Sequence, residues 1–264
     1  MKISYLGPVN SYSYLVAQKI KSSQDTILEF SNFYDVALAV GKIADKAVMP
    51  IENSLEGAVS NTLDILAWEC ELYITKEINL EINHKLIMKK SGDFNNIRRI
   101  ITHAQAYGQC RNFINKNYPN AEIVYTSSTS KAVESLDDDY TAAIAGEHNL
   151  NPNLKALQTS IQNDTYNVTR FVVLEKQPID NPANQKISII FDAENKPGGL
   201  LRILQILHDH NLNMTKIESR PFKGKYGSYI FFVDFIGNIN DNNVQNAFEK
   251  IKKLTTFFKY LGNY

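Results

Sequence analysis

The sequence predicts an α/β protein of two unequal parts: a two-lobed domain over residues 1–178 and a smaller βαββαβ module over residues 186–264. Three observations carry this expectation. Apolar strand-like runs alternate with helix-period segments through most of the first 175 residues. A stretch of period-two positions after Tyr73 interrupts that alternation midway. Residues 176–185 (KQPIDNPANQ) hold two prolines and two asparagines and no apolar run, which is the composition of a linker.

Residues 2–6 read as a first strand closed by Gly7-Pro8, and a helical pattern follows through Tyr14, Leu15, Ala17, Gln18 and Ile20. The cycle repeats as strand 26–30, helix 34–43, strand 46–50, polar loop 51–57 and helix 58–69. Ile74, Ile78, Leu80 and Ile82, then residues 85–88, suit long strands crossing between two lobes. Strand 98–102, helix 104–117, strand 121–125, helix 129–136 and strand 141–145 build the second lobe, and 170–175 (RFVVLE) returns to the first. Such βα alternation implies two largely parallel sheets around a cleft, a periplasmic-binding-protein-like arrangement. Beyond the linker, strand 186–191, helix 198–210, strand 212–220, turn 223–227, strand 228–236, helix 241–253 and strand 256–261 give the ferredoxin-like order βαββαβ.

The 28 Lys plus Arg balance 28 Asp plus Glu, so the chain lacks the basic excess of proteins that grip nucleic acid or acidic membranes. Neutrality hides an asymmetry: residues 1–180 hold 17 basic against 21 acidic groups, and residues 181–264 hold 11 against 7. No apolar run approaches the roughly 18 residues of a membrane span. The first seven residues (MKISYLG) are too short for a signal-peptide core, so a cytoplasmic protein is expected. Cys70 and Cys110 form neither a disulfide framework nor a ligand spacing, and no metal site is expected.

Ligands of such sheets bind at the carboxyl ends of strands, where helix N-termini present N–H groups to anions. Polar, mostly uncharged clusters fall at five of these points: Asn10-Ser11-Tyr12-Ser13; Glu52-Asn53-Ser54 with Gly57; His103 and Gln105, with Gln109 one turn on; Thr126 to Thr129, including Ser127; and Thr165, Asn167, Thr169 and Arg170. Each cluster alone reads equally as an N-cap or turn. Together they suit a small carboxylate held by hydrogen bonds, with Arg170 as its charged partner. No GxSxG, P-loop, GxGxxG or HExxH motif is present. Cys110 and His103 lie two turns apart, but Cys110 falls among apolar helix positions and reads as a buried, inert thiol. His84, His148, His208 and His210 have no acidic or Ser partner nearby in sequence and read as core or solvated residues.

Six segments, in order, resemble the prephenate dehydratase family with a C-terminal ACT domain. They are GPVNSYS (7–13), PIENSLEG (50–57), HAQAYGQC (103–110), NVTRF (167–171), PGGLLRIL (197–204) and IESRP (217–221). The resemblance covers residues 2–260 and implies loss of carbon dioxide and water from prephenate to give phenylpyruvate. No cofactor is implied, because gain of aromaticity drives the elimination. Carried over residue by residue, it implies Thr169 at the leaving hydroxyl, with Glu52 or His103 as candidates for a proton relay. It implies substrate positioning by Ser11, Asn53, Ser54, Gln105, Gln109, Ser127, Arg170 and Phe171, with Arg170 gripping a carboxylate or anchoring its loop and Phe171 packing behind the site. It implies an L-phenylalanine site at Pro197, Gly198, Gly199, Leu200, Leu201, Glu218, Ser219, Arg220 and Pro221, and a homodimer or homotetramer paired through the C-terminal module. Three residues depart from the family pattern: Asn10 replaces Gly, Ala104 replaces Pro, and Gly199 replaces Ala, a change expected to keep room for a ligand. Arogenate dehydratase, or a non-enzymatic amino-acid or solute sensor, are the alternatives.

Overall fold

The structure, a computed structural model, describes every residue except Asp180 and Pro182, two positions of the expected linker that lie outside the described residues. The first lobe contains β1 (Lys2–Leu6), α1 (Tyr12–Ile20), β2 (Thr26–Phe30), α2 (Phe33–Leu38), β3 (Lys46–Asn53), β4 (Gly57–Ala58), α3 (Ser60–Trp68) and β5 (Tyr73–Glu81). The chain crosses to a second lobe of β6 (His84–Lys89), β7 (Arg99–Thr102), α4 (Ala104–Asn117), β8 (Glu122–Tyr125), α5 (Thr129–Glu134), β9 (Thr141–Gly146) and β10 (Leu154–Ala156), and β11 (Val168–Glu175) returns to the first. The C-terminal module comprises β12 (Lys186–Asp192), α6 (Gly199–Asp209), β13 (Met214–Pro221), β14 (Tyr229–Ile236), α7 (Asn242–Leu254) and β15 (Phe258–Asn263).

Two expectations change. Helix 34–43 stops at Leu38, because the chain turns through a Val40–Ala44 bridge. Strand 46–50 continues to Asn53, absorbing half of the expected polar loop, because its partner β11 also starts earlier, at Val168. The sheets are mixed rather than largely parallel. In the first, ordered β2-β1-β3-β11-β5, the strands up to β3 are parallel, and β11 runs antiparallel to both neighbours. In the second, ordered β10-β6-β9-β7-β8, only β9, β7 and β8 are parallel. The strands that enter each lobe from the other cause this: β6 and β11 run against the βα units they join.

Local chemistry explains the helix starts. Ser11, Asn32, His103 and Ser128 each accept a hydrogen bond from a first-turn N–H of the helix that follows. In α4 the buried Ala106, Cys110 and Ile114 recur every four residues, forming the face packed on the sheet. Central β9 (TAAIAG) is buried throughout, and its small residues let helices approach from both sides.

The C-terminal sheet, ordered β13-β14-β12-β15, has α6 and α7 on one face and lies with the other against the first lobe. Ile190, Ile230, Phe232 and Leu261 join one core with Met49, Leu63, Leu66, Val172 and Leu174 of that lobe. Gly262, at φ +142°, brings its backbone so close to the Ile74 carbonyl that a Cβ would collide. Charge is complementary across this contact. Lys186–Glu77, Lys216–Glu52, Arg220–Asp64, Lys223–Glu69 and Lys259–Glu71 all place the cation on the C-terminal module. The opposite net charges of the two parts therefore meet as ion pairs.

Candidate active site

The antiparallel register sets Thr169 opposite Asn53 and Arg170 opposite Glu52. Neighbouring side chains of a strand point to opposite faces, so each pair occupies its own side of the sheet. On the first side Asn53 organises the backbone and the hydroxyl together. Its Oδ1 accepts the N–H groups of Leu55 (2.9 Å) and Glu56 (3.1 Å), which assigns the amide orientation. Its Nδ2 therefore donates, to Asn167 Oδ1 at 2.8 Å and to Thr169 Oγ1 at 3.0 Å. Having accepted that bond, the Thr169 hydroxyl keeps its own proton for another partner. Ser54 Oγ accepts from Val168 N (3.0 Å) and donates to Tyr166 O (3.3 Å), tying the loop after β3 to the start of β11.

The second lobe reaches this cluster through α4. Gln109 is buried, accepts from Asn167 Nδ2 at 2.8 Å and donates to Glu56 Oε1 at 3.3 Å. The lobes meet again at Asn10, whose carbonyl accepts from Ser130 Oγ (2.7 Å) and His148 Nε2 (3.0 Å). Asn10 adopts φ +62°, the left-handed conformation that explains a Gly at this point and that Asn tolerates better than other side chains. His103 is the N-cap of α4 and its Nδ1 accepts from Gln105 N (3.3 Å). Ala104 is then the first helical residue, where Pro is favoured. Ser11 caps α1 and donates to Leu6 O at 3.0 Å. Gln105 and Ser127 are exposed, and Phe171 is buried with Tyr5, Val16 and Ile78 beneath the site. Burial pushes the Cys110 thiol up to about 12, so a Cys110–His103 dyad has no thiolate at neutral pH.

Glu52 and Arg170 face away from Thr169, and for Arg170 this favours anchoring over gripping a carboxylate. The alternation of β3 and β11 turns both away from Thr169 and toward the C-terminal module. There the Arg170 guanidinium meets Asp234 (2.6 Å), Glu77 (3.2 Å), Glu52 (3.5 Å) and Tyr264 Oη (3.1 Å), and Glu52 meets Lys216 (2.8 Å). The side chains that do surround Thr169 include Asn167, whose role the sequence did not single out, and Gln109 leads on to Glu56. Asn167 and Gln109 fall in polar clusters already visible in the sequence, but their hydrogen bonds to each other are not visible there, because the segments lie more than 50 residues apart.

In the C-terminal module, Gly198 opens α6 at φ +79°, and a Cβ on Gly199 would strike the Glu194 carbonyl. The Glu194 carbonyl packs directly against Gly199, and the Glu194 carboxylate lies between Lys196 and Arg202. Arg220 grips Asp64 of α3 with two bonds, 2.9 and 2.7 Å. Among the described residues no group of His, Cys, Asp and Glu could hold a metal, and no helix is long and apolar enough to cross a membrane.

Two α/β lobes joined by a network of amides and hydroxyls, followed by a βαββαβ module, define a two-lobed, periplasmic-binding-protein-like protein with a ferredoxin-like domain. A family model for prephenate dehydratase matches residues 3–179 and one for the ACT domain matches residues 187–253. The chain belongs to the prephenate dehydratase family, carbon–oxygen lyases that convert prephenate to phenylpyruvate. It is 37% identical over 272 residues to a prephenate dehydratase of Methanocaldococcus jannaschii, covering 99% of this chain and 97% of that protein. It is 35% identical over 267 residues to a bifunctional chorismate mutase/prephenate dehydratase of Aquifex aeolicus, covering 100% of this chain and 73% of that one. A prephenate dehydratase of Arthrobacter aurescens, crystallised in complex with L-Phe, superposes with a TM-score of 0.91 at 30% identity, covering 100% of this chain and 90% of that one.

Proposed function

We propose that Thr169 donates a hydrogen bond to the departing ring hydroxyl of prephenate while the first turns of α1 and α4 hold its carboxylates. As carbon dioxide leaves, the electron pair of the broken C–C bond enters the ring and the C–O bond opens, so negative charge grows on the departing oxygen. A threonine hydroxyl is too weak an acid to give up its proton outright, so it stabilises this charge as a donor, and solvent completes the water. The observation that carries this reading is the Asn53-to-Thr169 hydrogen bond, which reserves the Thr169 proton for the substrate side. The carboxylates need no Lys or Arg field, because helix first turns carry N–H groups without partners inside the helix. Gln109 and Asn53 order the site, Ser54 fixes the loop, and Ser11 and His103 shape the two helix starts. Glu52 and Arg170 bind the regulatory module to the catalytic sheet. The test is the ultraviolet absorbance of phenylpyruvate formed from prephenate. Thr169→Ala is expected to lower kcat by about 10²-fold or more, and an unchanged kcat in a folded variant contradicts the assignment.

The regulatory module binds L-phenylalanine near the start of α6 and the edge strand β13, and the chain pairs there with a second copy. Supporting this are the exposed apolar side chains Leu201 and Ile217 and the open edge of β13. Calorimetry on the full chain is expected to give a saturable L-phenylalanine isotherm, and its absence would remove the effector assignment. The domain limits stay at 1–178 and 186–264, and a cytoplasmic setting fits two free thiols.

A further inference from the structure

One buried titratable side chain beside the site has no role in the chemistry above. His84 opens β6, where the chain passes from the first lobe to the second, and is only 4% exposed. Its Nε2 lies 3.1 Å from Gln109 Oε1, the same oxygen that accepts from Asn167 Nδ2. Its Nδ1 is buried with no hydrogen-bond partner in the structure.

The hydrogen-bond directions along this chain follow from one fixed end. The N–H groups of Leu55 and Glu56 make Asn53 Oδ1 an acceptor, so Asn53 Nδ2 donates to both Asn167 Oδ1 and Thr169 Oγ1. Asn167 must then donate to Gln109 Oε1, and Gln109 must donate to Glu56. An oxygen cannot donate, so His84 meets Gln109 with an Nε2–H and leaves Nδ1 as a bare lone pair. A protonated Nδ1 would be a buried cation's N–H with no acceptor, and burial accordingly pushes His84 down to about 4.

We propose that His84 is a positioning residue for the dehydration. As the neutral Nε2–H tautomer, it braces the far end of the Gln109–Asn167–Asn53 chain, whose near end donates to Thr169 Oγ1 and leaves the Thr169 proton free. Without that donor the Gln109 amide can turn over. Asn167 then loses its acceptor and shifts, and the Asn53 amide, whose sense the Leu55 and Glu56 N–H groups still fix, is no longer braced from behind, so the Thr169 hydroxyl is held less well toward the leaving group. The groups facing the imidazole are Gln109, the Tyr12 ring (6.2 Å between centroids) and, beyond Tyr12, His148. None of them is a carboxylate that would favour the protonated form.

This inference rests on Thr169 acting at the leaving hydroxyl, and the experiment separates the two claims. Steady-state kinetics on prephenate would compare His84→Leu, His84→Gln, Thr169→Ala and the His84→Leu/Thr169→Ala double variant, each checked for native circular dichroism. His84→Leu is expected to lower kcat about 10-fold, the scale of one well-placed hydrogen bond, with KM changed less than about 3-fold. His84→Gln, which keeps an N–H donor, should recover most of that loss. In the Thr169→Ala background, His84→Leu should cost almost nothing more. Wild-type kcat in folded His84→Leu, no recovery in His84→Gln, or full additivity with Thr169→Ala would each overturn the proposal. Failure of Thr169→Ala alone to lower kcat would instead remove the underlying reading. Nitrogen-15 spectra of the full chain should show His84 as Nε2–H at pH 7, and an Nδ1–H tautomer would also refute it.

Discussion

The two faces of the β3–β11 pair use the same backbone for opposite chemistry. One carries Thr169 and Asn53 in a chain of neutral amides, with the bonds between Asn53, Asn167 and Gln109 buried. The other, one residue along each strand, carries Arg170 and Glu52 in an ion-pair cluster with Lys216, Asp234 and Glu77 of the regulatory contact. Neutral amides can have their donor and acceptor directions fixed, which a site that must offer one proton requires. Ion pairs tolerate sloppier geometry and fasten two domains whose net charges are opposite. A dipeptide such as Thr169-Arg170 therefore belongs to two functions, and sequence adjacency hides which residue serves which.

The largest expected effect that separates the faces is on stability. Arg170→Ala leaves Asp234 unpaired where its side chain is 5% exposed, at a cost of about 3 kcal/mol. Denaturant unfolding should show this loss, while prephenate KM below the melting range changes little. A more than tenfold rise in KM with stability intact would put Arg170 back on the substrate.

A second measurement sharpens the neutral face. His84 is held at about 4, below its ordinary 6.5. As pH falls below 6.5 the unfolded chain takes up a proton that the folded chain refuses until about pH 4. Stability is therefore lost through that window on acidification. The expected contribution between pH 7 and pH 5 is about 2 kcal/mol. It is read as a steeper decline of unfolding free energy in the wild type than in His84→Leu, and parallel declines would show that His84 titrates normally.

Much of this was legible in the sequence. The βα alternation, the midway crossing strands and the βαββαβ tail followed from apolar periodicity, and the resemblance led to Asn53, Gln109 and Thr169. Element ends were less legible, because β3 runs on to Asn53 through pairing with the short β4 and with β11, a partner more than 100 residues away. Glu52 and Arg170 stood in the right motifs, but only strand register reveals which face each occupies. His84 looked like an ordinary core histidine because its partner Gln109 lies 25 residues away on another element. Gly199 lets the Glu194 carbonyl pack directly against it, a contact only the backbone reveals.

The measurement that bears most directly on the division of faces is prephenate turnover by Asn53→Asp. This substitution preserves shape and the acceptor for Leu55 and Glu56, but replaces the donor to Thr169 by a carboxylate oxygen that draws the hydroxyl proton back. The account predicts a fold that survives, with kcat reduced about 10²-fold. Wild-type kcat in Asn53→Asp would contradict it, because the Thr169 proton would then not depend on the amide behind it.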